Sequence, residues 1–133
     1  MKRKVFKLNL HIIFMKYKDV LLMAWGKSLN DIFIKKQKIK LPKQTIVTFN
    51  WDEKDIKGVA KKFKHTKEGI TCDVELNKKT HPLFKTVSPV LKSLDEIKII
   101  NKKEIHLLKN IEIIGVSIIP GHHAYSKCND NLK

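Results

Sequence analysis

The segment Ile70-Thr71-Cys72-Asp73-Val74-Glu75-Leu76-Asn77 alternates apolar and polar residues without a break. A period of two is what a strand needs when one face of its sheet is buried and the other is wet. The run IKGVAKKF and the loop KHTKE precede it, so residues 56–76 are expected to form an antiparallel hairpin, with Gly69 at a positive φ closing the loop. No stretch of the chain sustains a 3.6-residue period, and β-branched residues dominate its apolar runs, which argues for strands throughout.

Further strand signals lie on both sides of this hairpin. Val20–Trp25 is an apolar run closed by Gly26; Ile32, Ile34, Ile39 and Leu41 punctuate a Lys-rich extended segment before Pro42; Thr45–Phe49 ends at the acidic turn Asp52–Asp55. Beyond NKKTHPLF, where Pro82 opens a helical turn or a loop, KTVSPVL reads as a strand. Pro89 lacks a ladder donor, so that strand is expected to bulge or to sit at an edge. Ile97–Ile100, Ile105–Leu108 and Ile111–Ile119 follow as three apolar segments separated by Asn-Lys turns. In the last, Ile111 and Ile113 share one phase and Ile114, Val116 and Ile118 the other, so either a bulge intervenes or both faces are covered. About eight short strands with tight turns imply an all-β fold. The expected form is a small closed antiparallel β-barrel with at most one or two short helices, since closure removes exposed edges.

A chain of 133 residues supports one compact domain. Residues 16–120 are expected to form the barrel, 1–15 an extension or extra strand with Met15 an alternative initiator, and 121–133 a polar, flexible tail. Lys7, Asn9 and His11 interrupt the early apolar run, so neither a secretion signal nor a membrane span is expected. The formal charge is +15, carried almost wholly by lysine, with Arg3 the lone arginine. Such a field can draw phosphate without reading base sequence, but lysines spread over nearly every polar face fit a plain solvated surface better, and non-specific nucleic-acid contact is the minor alternative. Cys72 and Cys128 imply no disulfide framework, and Cys72, inside the alternation, reads as a small core residue.

Candidate chemistry is sparse. His122, His123 and Cys128 form a local cluster without zinc-site spacing; Asp52, Glu53 and Asp55, or Asp95 and Glu96, read as solvated turn residues; no phosphate loop or dinucleotide fingerprint is present, and no cofactor or metal is expected. Ser88 in TVSPV is either a satisfied core hydroxyl or a nucleophile. The second role requires an imidazole within hydrogen-bond reach and a donor for an oxyanion. His65, His81 and His106 are the candidate bases; His106 reaches Ser88 only if their strands are neighbours in register, and His65 lies in a hairpin loop.

The order of segments over about Leu21 to Ala124 resembles the prohead maturation proteases of tailed bacteriophages, serine peptidases that share a β-barrel with the herpesvirus assemblins. The matching landmarks are LLMAWG, TFNWD where the family shows a form of Phe-Asn-His-Asp, the hairpin IKGVAKKFKHTKEGITCDVEL, TVSPV with a serine before proline, and NIEIIGVSIIPGHHA through Val116, Ser117, Pro120 and Ala124. The resemblance implies Ser88 as nucleophile, His106 as a third member, and Trp51 at the position of the catalytic histidine. An indole offers only an N–H donor and takes no proton. The implied protein acts in capsid assembly or maturation with its peptidase activity impaired or lost, inside a prohead or virion in the host cytoplasm. Its implied partners are the major capsid or scaffolding protein and other copies of itself. Two further readings are a non-catalytic structural protein of the capsid and a basic β-barrel that holds single-stranded nucleic acid on aromatic platforms.

Overall fold

A computed structural model describes residues 14–77 and 84–132. Among them are eight strands: β1 (Phe14–Ala24), β2 (Gly26–Lys27), β3 (Ile32–Ile34), β4 (Gln44–Phe49), β5 (Asp52–His65), β6 (Gly69–Asn77), β7 (Thr86–Ile100) and β8 (Lys103–Ile119). The helical content is a 3-10 turn at Ser126–Cys128, so the all-β expectation holds. The strands form one sheet in the order β1-β6-β5-β4-β8-β3-β2, with β7 also paired to β8. Phe14, Met15 and Lys16 all pair with β6, so residues on both sides of position 15 belong to one strand.

The expected hairpin is present as β5–β6, with Ala60 opposite Val74 and Gly58 opposite Leu76. Its inward residues Ala60, Ile70, Cys72, Val74 and Leu76 belong to the core together with Leu22, Val47, Val87, Val116 and Ile118. Gly69 corrects the sequence expectation, because its φ is not among the positive ones. A Cβ at Gly69 would stand 1.9 Å from the Met23 carbonyl oxygen, so glycine is required there by the close approach of β1.

The other long hairpin is β7–β8, turning at Asn101-Lys102 with φ of 53° and 65° at its two loop residues. Those values match the positive φ that a tight two-residue loop demands. The expected turn at Lys109-Asn110 is instead a bulge inside a continuous β8, where Asn110 takes a φ of 51° and the register slips between Lys92 and Leu94. The phase change after Ile113 is a second bulge: Val90 faces Gly115 while Leu91 faces Ile113, and Ile114 is left outside. Past that bulge Val116 to Ile119 are all buried, so both branches of the sequence expectation are realised in one strand. Pro89 lies on β7, an edge strand whose ladder partner is β8, as its missing donor requires.

The barrel is not closed. The sheet curls into a half-barrel and remains open, and it is mixed, because β8 runs parallel to both β3 and β4. Two strands separated by an even number of reversals run in the same direction, which is how β4 and β8 come to lie parallel. Among the described residues no ladder joins β1 to β7; the segment after β8 occupies that seam. The Asn131 side chain accepts from the Val87 N–H at 2.8 Å and donates to the carbonyls of Val87 and Leu21, each at 2.9 Å. The Leu132 N–H donates to the Lys85 carbonyl, and the Asp130 N–H to the Thr86 hydroxyl. Residues 121–132 are therefore a docked closure and not the flexible tail that their polarity suggested. His123, Tyr125, Cys128 and Leu132 are buried in it.

Replacing Asn131 by alanine removes three hydrogen bonds across the seam. The expected loss is about 2–3 kcal/mol at about 1 kcal/mol each, measured by urea denaturation against the parent chain.

Candidate functional site

The turn between β4 and β5 is Asn50-Trp51, with Phe49 opposite Asp52 and φ of 50° and 65° at the two loop residues. Asparagine tolerates the left-handed region; a bulky side chain there costs about 1–2 kcal/mol. Two hydrogen bonds hold the turn against β8: the Asn50 N–H donates to the Ile118 carbonyl at 2.8 Å, and the Trp51 N–H to the Ser117 hydroxyl at 2.9 Å. Trp51 therefore sits on a loop tip and not on a strand end, with half of its surface exposed. The carboxylates expected in turns lie on strands, Asp52, Glu53 and Asp55 on β5 and Asp95 and Glu96 on β7.

Ser117 is fully buried and lies at the centre of a row of hydroxyl residues. Its ladder partner on β4 is Thr48, and its partner on β7 is Ser88. Cross-strand partners share a face of the sheet, so Thr48, Ser117 and Ser88 line up on one side. The Ser117 hydroxyl accepts from Trp51 and donates to the Ile118 carbonyl at 3.3 Å. Sequence reasoning treated Ser117 only as a landmark. Its signal was a single hydroxyl in the otherwise apolar run Val116–Ile119.

Ser88 and Trp51 border a common cleft of about 440 Å³, together with Ile119, His122, Leu91 and Leu108. A smaller hollow of about 260 Å³, between Thr86, Pro120 and Asp130, shares Ile119 and His122 with it. Ser88 is half-buried, and among the described residues nothing hydrogen-bonds its hydroxyl.

The candidate bases fall elsewhere. His106 pairs with Ile97 on β7, nine residues from Ser88, a separation of about 30 Å at about 3.3 Å per residue. Its Nδ1 lies 2.8 Å from an Asp95 carboxylate oxygen, so the strands are neighbours but the register keeps His106 from the serine. His65 is the last residue of β5 and is exposed: its Nε2 accepts from the Ile39 N–H at 2.8 Å, and its ring stacks on Trp25. His81 and Pro82 lie outside the described residues. His122, which is exposed, lines the same cleft as Ser88, although its sequence context suggested only a metal ligand.

His123 also lines the cleft, but both of its ring nitrogens are engaged. Nδ1 accepts from the Tyr125 N–H at 2.9 Å, which leaves Nε2 as the protonated nitrogen, donating to the Leu22 carbonyl at 2.8 Å. Burial holds its pKa below the usual histidine range, partly offset by the bond to Leu22. Burial likewise pushes the Cys72 and Cys128 thiols up to about 12 each, so both are protonated and inert at neutral pH. Among the described residues no group of three or more His, Cys, Asp or Glu is placed to hold a metal ion. No described helix is long and apolar enough to cross a membrane.

No protein-family model, curated protein or solved structure matches the chain.

Two outcomes test this geometry. His123 is neutral in the fold and has a pKa of 6.5 when unperturbed. Below that pH the unfolded chain binds a proton that the native chain refuses, so stability falls as pH falls. Thermal melts from pH 7 to pH 5 should show a decline that is shallower in His123→Gln. The thiols should react with a disulfide reagent only after denaturant is added, with both cysteines released together.

Proposed function

We propose that the chain is a prohead-protease-like protein of capsid assembly or maturation in which serine-peptidase activity is impaired or lost. One observation carries the reading: Ser88 and Trp51 border the same cleft, linked through Ser117, and the residue facing that cleft from the β4–β5 turn is an indole where the resembled family has an imidazole. An indole cannot accept the serine proton, and a serine without its base retains a small residue of activity. The landmark order in the sequence supports the lineage, and the 440 Å³ cleft beside Ser88 offers room for an extended peptide.

On this reading the protein acts within the prohead through contact with the major capsid or scaffolding protein. Its lysine surface adds loose contact with phosphate or with an acidic shell, which is consistent with the formal charge of +15. Phosphate contact of this kind accompanies the assembly role and needs no base recognition.

The test is co-expression with a tailed-bacteriophage major capsid protein. The parent chain should co-purify with capsid assemblies and leave the capsid protein uncut. Processing that disappears in Ser88→Ala would overturn the loss of activity, and failure to associate would overturn the assembly role. Trp51→His suits the left-handed turn better than tryptophan does, since histidine is enriched there. Cleavage gained in Trp51→His and abolished by adding Ser88→Ala is the expected mark of a decayed site.

A further inference from the structure

The distal half of the β7–β8 hairpin carries an apolar surface that nothing in the described chain covers. Leu94, Ile97, Ile99 and Ile100 are 62%, 57%, 75% and 54% exposed. The same segment of β7 is a bare edge: residues 94–100 pair with β8, and no other backbone hydrogen bond among the described residues reaches them. A bare edge of this kind can recruit another strand unless charge opposes it.

Within Leu94–Ile100 the facing charges of a second copy would be of opposite sign, and Glu96, held in its own chain by Lys109 and Lys98, would meet a further lysine. Leu94-Asp95-Glu96-Ile97-Lys98-Ile99-Ile100 is close to self-complementary about Ile97. In an antiparallel pairing centred on that residue, one face of the joined sheet sets Leu94 against Ile100, Glu96 against Lys98, Lys98 against Glu96 and Ile100 against Leu94. On the other face Ile97 meets Ile97. Asp95, which would lie beside Ile99 of the second copy, already has its carboxylate turned to His106 at 2.8 Å. Lys92 and Lys102 meet beyond both ends of the segment, which confines the ladder to Leu94–Ile100. A two-fold interface needs a patch that is complementary to itself, and an apolar–acid–base–apolar order on an edge strand supplies one.

We infer that the distal β7 edge is a homodimerisation strand, pairing antiparallel with the same segment of a second copy in a register centred on Ile97. The inference is independent of the peptidase lineage, since neither Ser88 nor Trp51 belongs to this edge.

Sedimentation velocity of the full chain at micromolar concentration should show a dimer. Lys98→Glu places like charges opposite each other twice per dimer and should weaken association by about tenfold. Glu96→Lys combined with Lys98→Glu restores the complement and should restore the dimer. Ile97→Cys should cross-link to itself under mild oxidation, with the buried Cys72 and Cys128 taking no part. A monomer at these concentrations, a dimer unaffected by Lys98→Glu, or a dimer in which Ile97→Cys fails to cross-link would each overturn the inference.

Discussion

The ladder along β8 is the constraint on which the other elements depend. One side of this strand pairs with β7 from Lys103 to Ile119, while the other side is shared in turn by β3, Lys40 and β4. A straight 17-residue strand could not keep an apolar face inward along that path, because the sheet curls and the core changes side relative to the pleat. Two bulges correct the phase, one at Asn110 and one at Ile114-Gly115. Gly115 is also where the Val90 side chain approaches, with 3.4 Å to the position of a Cβ, so the second bulge and the packing of β7 use the same small residue.

What β8 organises, the C-terminal segment completes. A curled sheet that stops short of closure leaves the backbone of β1 and β7 facing each other across a gap, and buried backbone groups must find partners. Asn131 does this with one amide, whose oxygen and nitrogen reproduce on one side chain what a neighbouring strand would offer. His123 ties the same segment to Leu22 on β1, and the Tyr125 hydroxyl ties it to the Gly26 carbonyl. The cleft that holds Ser88 is bounded by this segment, so the closure of the half-barrel and the shape of the candidate site are one structural fact.

Strand positions were legible because each rests on a local pattern. The alternation Ile70, Cys72, Val74, Leu76 fixes which face of β6 is inward whatever the sheet around it, and the phase change at Ile114 announces a bulge for the same reason. The candidate site was less legible. Ser88 and Trp51 were singled out, but Ser117, which joins them, had no local mark beyond one hydroxyl in an apolar run. His106 was expected to reach Ser88 only if the register allowed it and their strands were neighbours. They are, yet register along two strands of 15 and 17 residues is decided by the turn at Asn101-Lys102, far from either residue. Gly69 is a similar case: its glycine identity was read as a turn requirement, and the cause is the Met23 carbonyl of a strand about forty-five residues away.

By itself the sequence determined that the chain is all-β, where the β5–β6 and β7–β8 hairpins turn, which side chains of β6 face inward, and that the Trp51 side chain takes no proton. These follow from periods of two, from residues suited to positive φ, and from the proton chemistry of a side chain, all of which act over a few bonds. Only the tertiary structure decided that the barrel stays open, that a polar tail seals it, and that Ser88 shares a cleft with Trp51 and His122 while His106 lies far along the strand. Those outcomes depend on which strands meet and in what register, and on how many backbone groups the meeting leaves to be satisfied. No local pattern carries that information, because it is a property of pairs of segments distant in the chain.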